Sequence, residues 1–146
     1  MTSETAPISS SERFEIPVTV SPSDIDRLGH VNNVVYVRWV QDAAVAHWKA
    51  RATADQQSNL LWVVVRLEIE YKRSAQPDDG IIARTWVGKA SDLTFERHTE
   101  ILRARDRKIL AQAKTIWCPI NSKTLKPTRV PPDVRERFST GSDETP

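Results

Sequence analysis

Ser23-Asp24-Ile25-Asp26-Arg27-Leu28-Gly29-His30-Val31-Asn32-Asn33-Val34-Val35-Tyr36 is the stretch on which the reading of this chain turns. A β-branched run from Ile16 to Val20 leads into it, and a long apolar-faced segment, Tyr36 to about Arg51, leaves it. It therefore joins a predicted strand to a predicted helix while carrying two acids, a glycine, a histidine and two asparagines. Asn32 or Asn33 suits the helix cap, because an asparagine side chain accepts hydrogen bonds from the orphan amides of the first turn. Gly29 permits a tight turn. The helix start offers free N–H groups with about half a positive charge, a place to hold an oxyanion. A carboxylate beside such a place can attack a carbonyl or activate water.

Upstream, Phe14, Ile16, Val18 and Val20 alternate as a strand, and Pro17 favours an edge or strand-end position because it lacks a donor. Downstream, Val37, Val40, Ala43, Ala44, His47 and Trp48 recur at helical spacing, and Arg38 and Asp42 are placed for an i,i+4 pair. Ala52 to Asn59 reads as a polar loop or a fraying helix end. Four strands follow. Leu61–Arg73 puts Leu61, Val63, Val65, Leu67, Ile69 and Tyr71 on one face and Arg66, Glu68, Glu70 and Lys72 on the other. The turn Pro77-Asp78-Asp79-Gly80 leads to Ile81–Lys89, a Ser91-Asp92 corner to Leu93–Arg103, and a polar tip Arg105–Lys108 to Ile109–Ile120. Pro131-Pro132-Asp133 opens a short helix, Val134–Phe138. Strands joined by short turns give an antiparallel sheet on which the one long helix buries its apolar face, an α+β arrangement.

With 146 residues the chain fits one domain, and a net charge of +2 gives no argument for nucleic acid. The single cysteine, Cys118, cannot form an internal disulfide and is expected to be inert and buried, which suits a reducing cytoplasm. There is no apolar run long enough to span a membrane. Residues 1–12 are Ser/Thr-rich without an apolar signal core and read as a disordered tail, as do residues 139–146, leaving 13–138 as the domain.

The motif Asp-x-Asp-x-x-Gly-His-Val-Asn-Asn-x-x-Tyr, from Asp24 to Tyr36, resembles the signature of hotdog-fold acyl-CoA thioesterases. The resemblance runs on through Val63–Arg73 and Ile116–Asn121 and covers residues 14 to 138. It is strongest toward bacterial long-chain acyl-CoA thioesterases, and weaker toward 4-hydroxybenzoyl-CoA and plant acyl-carrier-protein thioesterases. It implies the hotdog fold, a five-stranded antiparallel sheet wrapped around a long central helix, and hydrolysis of acyl-CoA to free acid and CoA.

By that resemblance Asp26 is the general base or nucleophile, the Asn33 backbone amide the oxyanion donor and His30 a supporting residue. Tyr36, Trp39 and Val40 are expected walls of an acyl tunnel, and Asp42 matches a frequently acidic helix position. The plant enzymes extend the set with an Asn and with downstream acidic and Cys residues. Here those positions hold Leu28, Ser74 and Ala75, so the extended set is not carried over. Lys72, Arg73, Lys89 and Arg103 are available for the CoA phosphates, whereas His47 and His98 read as structural or surface residues. No metal or other cofactor is expected. The resemblance also implies a homodimer or homotetramer, joined edge to edge with sites between subunits. A non-catalytic acyl-binding protein and a hotdog hydratase or dehydratase are the competing functions.

Overall fold

A computed structural model describes residues 11–138, so most of both expected tails lies outside the described residues. The elements are β1 (Phe14–Val18), α1 (Asn33–Arg51), α2 (Ala54–Asn59), β2 (Leu60–Tyr71), β3 (Ile81–Ala90), β4 (Phe95–Arg103), β5 (Ile109–Asn121) and α3 (Pro132–Phe138). The five strands form one antiparallel sheet in the order β1-β3-β4-β5-β2, with α1 packed across it in the hotdog arrangement. Pro17 lies in β1, an outer strand, as its missing donor requires.

Helix α1 begins three residues before Tyr36, where Asn32 caps it by accepting from the Val34 amide at 3.2 Å. Its inner face buries Val35, Tyr36, Trp39, Val40, Ala43, Ala44 and His47. The small Ala43 and Ala44 let the helix lie close to the sheet. The polar stretch after it folds as a true helix, α2, because Thr53 and Gln56 form a reciprocal capping box.

Strand β2 departs from simple alternation. Its register with β5 shifts between Val64 and Arg66. An extra residue at a bulge moves the side chains that follow to the other face. Leu60 and Trp62 therefore point inward before the bulge and Leu67 and Ile69 after it, while Leu61, Val63 and Val65 stand exposed instead of joining the core.

Two apolar clusters fill the space beneath the sheet. One gathers Val35, Tyr36, Trp39, Ile101 and Leu110 around the first half of α1. The other gathers Leu60, Val87, Phe95, Val134 and Phe138 near its end. Between them lies a polar layer of buried Thr85, Arg97, Thr99, Thr115 and His47. The expected tail boundary at residue 12 moves: Ser11 is buried and donates to the Val87 carbonyl, and Glu12 pairs with Arg51 and His47. Cys118 is half-buried, with Sγ 3.6 Å from the Pro119 carbonyl oxygen. Among the described residues no helix is long and apolar enough to cross a membrane.

Candidate active site

A short 3-10 turn, Pro22–Asp24, delivers the loop that carries the acids, and an antiparallel bridge between Ile25 and Val31 closes it. Within the loop the Asp26 amide donates to the His30 carbonyl at 2.8 Å, and the Gly29 amide to the Asp26 carbonyl at 3.0 Å. Gly29 has φ 79°, the left-handed region that glycine enters without strain. Asp26 Oδ1 accepts from the Leu28 amide at 2.9 Å and the His30 amide at 3.1 Å. Oδ2 makes no hydrogen bond among the described residues. The carboxylate is thus held by one oxygen while the other stays open.

Asp24 has a different task. It is buried, chelates the Arg38 guanidinium at 3.0 and 3.3 Å, and accepts from the Ser21 amide at 2.9 Å. The hydrogen bonds from Arg38, followed by that from the Ser21 amide, hold its pKa below the ordinary carboxylate value. The Asn32 amide donates to the Asp24 carbonyl at 2.7 Å, a second tie from loop to helix. Arg38 therefore turns to Asp24, and the expected Arg38–Asp42 ion pair is absent.

At the helix start the Asn33 amide has no acceptor among the described residues, whereas the Val34 and Val35 amides are taken by Asn32. This leaves a free donor at the positive end of a 19-residue helix. The loop and the first turn of α1 thus bring Asp26, His30 and Asn33 into one region. His30 supports Asp26 through its backbone; its imidazole makes no hydrogen bond among the described residues. Exposed Leu28 and Val34 flank the region.

Tyr36, Trp39 and Val40 lie in the core rather than along an open tunnel, each at most 2 % exposed. The Tyr36 hydroxyl accepts from the Ala75 amide at 2.9 Å, and burial raises its pKa. Of the cations proposed for phosphate, Lys72 pairs with Glu70, Arg103 with Asp106, and Arg73 donates to the Ile109 carbonyl.

Sequence reasoning missed a second feature, an apolar cavity of about 310 Å³ beside the far end of α1. Trp48, Leu60, Trp62, Phe95, Trp117 and Phe138 line it, with Arg97 in its wall. His47 stands about 21 Å along the helix from Asn33, at about 1.5 Å rise per residue. The cavity is consequently remote from its own chain's Asp26. Five tryptophans in one short chain were the available signal. Among the described residues no cluster of His, Cys, Asp and Glu could hold a metal ion.

The profile of the Thioesterase-like superfamily matches residues 20–138, and the chain belongs to that superfamily. Among curated proteins it is 25% identical over 122 residues to a chloroplastic acyl-[acyl-carrier-protein] hydrolase of Cuphea viscosissima, covering 77% of this chain and 29% of that one. A chloroplastic palmitoyl-acyl carrier protein thioesterase of Cuphea hookeriana is 24% identical, with 77% and 29% covered. The chain spans under a third of the length of these relatives. Among solved structures, a Synechocystis 1,4-dihydroxy-2-naphthoyl-CoA thioesterase superposes with a TM-score of 0.75 at 19% identity, over 87% of this chain and 96% of that one. A Thermus thermophilus thioesterase solved with coenzyme A and zinc gives 0.72 at 20%, over 85% and 90%. These two structures share the fold.

Proposed function

We propose that this member of the superfamily hydrolyses acyl-CoA thioesters to the free acid and CoA. The observation that carries the reading is Asp26, fixed through Oδ1 by two loop amides with Oδ2 open, in the same region as the unpaired Asn33 amide. In the proposed reaction Asp26 takes a proton from water as the water oxygen attacks the thioester carbon. The carbonyl oxygen becomes an oxyanion held by the Asn33 amide. Collapse expels the CoA thiolate, which receives the proton from Asp26. An oriented donor of this kind contributes about 2.7–4 kcal/mol to lowering the barrier.

The working unit in this reading is a homodimer joined along β2. That strand is an unpaired edge carrying exposed Leu61, Val63 and Val65. Two β2 strands paired antiparallel about a two-fold axis set the start of each beside the end of the other. Leu60 and Trp62, in the cavity wall, then approach Tyr71 of the partner subunit. In each chain Tyr71 donates to the Asn33 carbonyl at 3.1 Å, so this end of β2 lies at the helix start. Each cavity would receive the acyl group that the partner's loop cleaves.

Thiol release from a panel of acyl-CoA and acyl-carrier-protein thioesters tests the reading. Hydrolysis of the CoA esters, lost in Asp26→Asn, is the expected result. Binding without thiol release would make the protein an acyl binder instead, and hydration of enoyl-CoA would make it a hydratase.

A further inference from the structure

The cavity is apolar in most of its wall, but Arg97 brings to it guanidinium N–H groups that have no acceptor among the described residues. Arg97 is only 8% exposed. Its Nη1 donates to His47 Nδ1 at 2.9 Å and to Thr85 Oγ1 at 3.0 Å, and among the described residues Nε and Nη2 meet no acceptor. No carboxylate of the described residues forms an ion pair with it. Burial lowers its pKa to about 10, still far enough above neutrality to keep it charged. Trp62 and Trp117 line the cavity with their rings, while their indole N–H groups are sealed away from it and have no partner among the described residues. Thr115, directly across the β4–β5 ladder from Arg97, has a buried hydroxyl that is likewise unpaired. Trp117 lies two residues further along the same face of β5. Glu96 also borders the cavity, but its carboxylate is bonded to His98 at 2.8 Å.

Guanidinium groups donate and never accept. A buried cation without a counter-charge is costly, and an anion brought to it relieves that cost. We infer that the cavity binds an acyl group whose far end carries a carboxylate, seated on Arg97 while its methylenes lie against the aromatic walls. The favoured substrates are then thioesters of dicarboxylic acids. This inference rests on the proposed hydrolase for its link to turnover, and on the cavity alone for its link to binding.

Calorimetry of octanoate against methyl octanoate tests the site without any catalysis, since the two differ in charge and not in chain length. The acid should bind about tenfold or more tightly, as charge-assisted hydrogen bonds allow. Arg97→Met should bring the acid down to the ester's affinity. In steady-state assays of the same protein, octanedioyl-CoA should be hydrolysed with about tenfold higher kcat/KM than octanoyl-CoA. Selective acid binding with neither thioester hydrolysed would support this site and remove the hydrolase reading. Equal affinity for acid and ester in the parent protein would overturn the site, and so would selectivity that survives in a folded Arg97→Met variant.

Discussion

Arg97 donates a hydrogen bond from Nη1 to Nδ1 of His47 at 2.9 Å, and this contact fixes the state of the imidazole. Guanidinium cannot accept, so Nδ1 carries no proton. The proton sits on Nε2, 3.1 Å from Glu12 Oε1. Burial first, and the Arg97 charge second, lower the His47 pKa to about 4 from the ordinary histidine value of 6.5. The buried ring is neutral, stacked on Phe14 at 4.8 Å and edge-on to Phe138.

Stability should therefore depend on pH in a particular window. The folded-state pKa of this base is depressed, so acid protonates the unfolded chain first. The His47 contribution is full above about pH 6.5, falls as the pH drops, and is lost by about pH 4. The depression corresponds to about 3 kcal/mol. Denaturant melts between pH 8 and 4 should show the fall, and His47→Gln should flatten it. Glu12 and Asp24, whose pKa values are lowered by partners, add further losses at lower pH.

Asp26→Asn keeps the size of the side chain and an oxygen for the two loop amides, while removing the charge. Activity should fall by about 10²–10⁴-fold with the melting temperature unchanged. His30→Ala should cost much less, because its contacts to Asp26 run through the backbone. A dead His30→Ala beside an active Asp26→Asn would reverse these assignments.

Asp24→Asn should act on stability instead of chemistry. It breaks a buried charge pair with Arg38 that ties the loop to the helix. Arg38 is half-exposed, so solvent screens part of the loss, and about 1 kcal/mol is expected. A urea titration measures it, and the change in thiol-release rate should track loop order instead of vanishing outright.

Tyr36→Phe removes the acceptor of the Ala75 amide in a fully buried place. Leaving that N–H unpaired should cost about 1–3 kcal/mol. A loss in kcat without a loss in stability would instead assign Tyr36 to the substrate.

Sedimentation should find a particle of twice the 16.6 kDa chain mass. Val63→Lys with Val65→Lys, on the exposed row of β2, should weaken that dimer and lower activity together. A fully active monomer would exclude a site shared between subunits.

The order of elements and the sheet class were legible because alternation, helical spacing and turn residues agree along most of the chain. Asp26, His30 and the helix start could be placed together because they are near neighbours in sequence. Other features were not legible. The bulge in β2 carries no marker, since Val64, Val65 and Arg66 all suit a regular strand. The link between Arg38 and Asp24 crosses an irregular loop, so helical spacing pointed to Asp42 instead. The cavity draws on α1, α2, α3 and strands β2 to β5, and no local pattern announces residues so far apart.

The bulge has a further consequence, for how this chain can change. Substitutions along β2 exchange one side chain for another and leave the rest in place. Deleting Val65, the residue without a partner on β5, would leave Val64 and Arg66 on their present partners and restore plain alternation, with Leu60, Trp62, Leu67 and Ile69 all still facing inward. The cavity would keep its wall, and the exposed row would lose only its last member. Variants of this strand should therefore tolerate the loss of one residue at the bulge while they diverge in composition elsewhere.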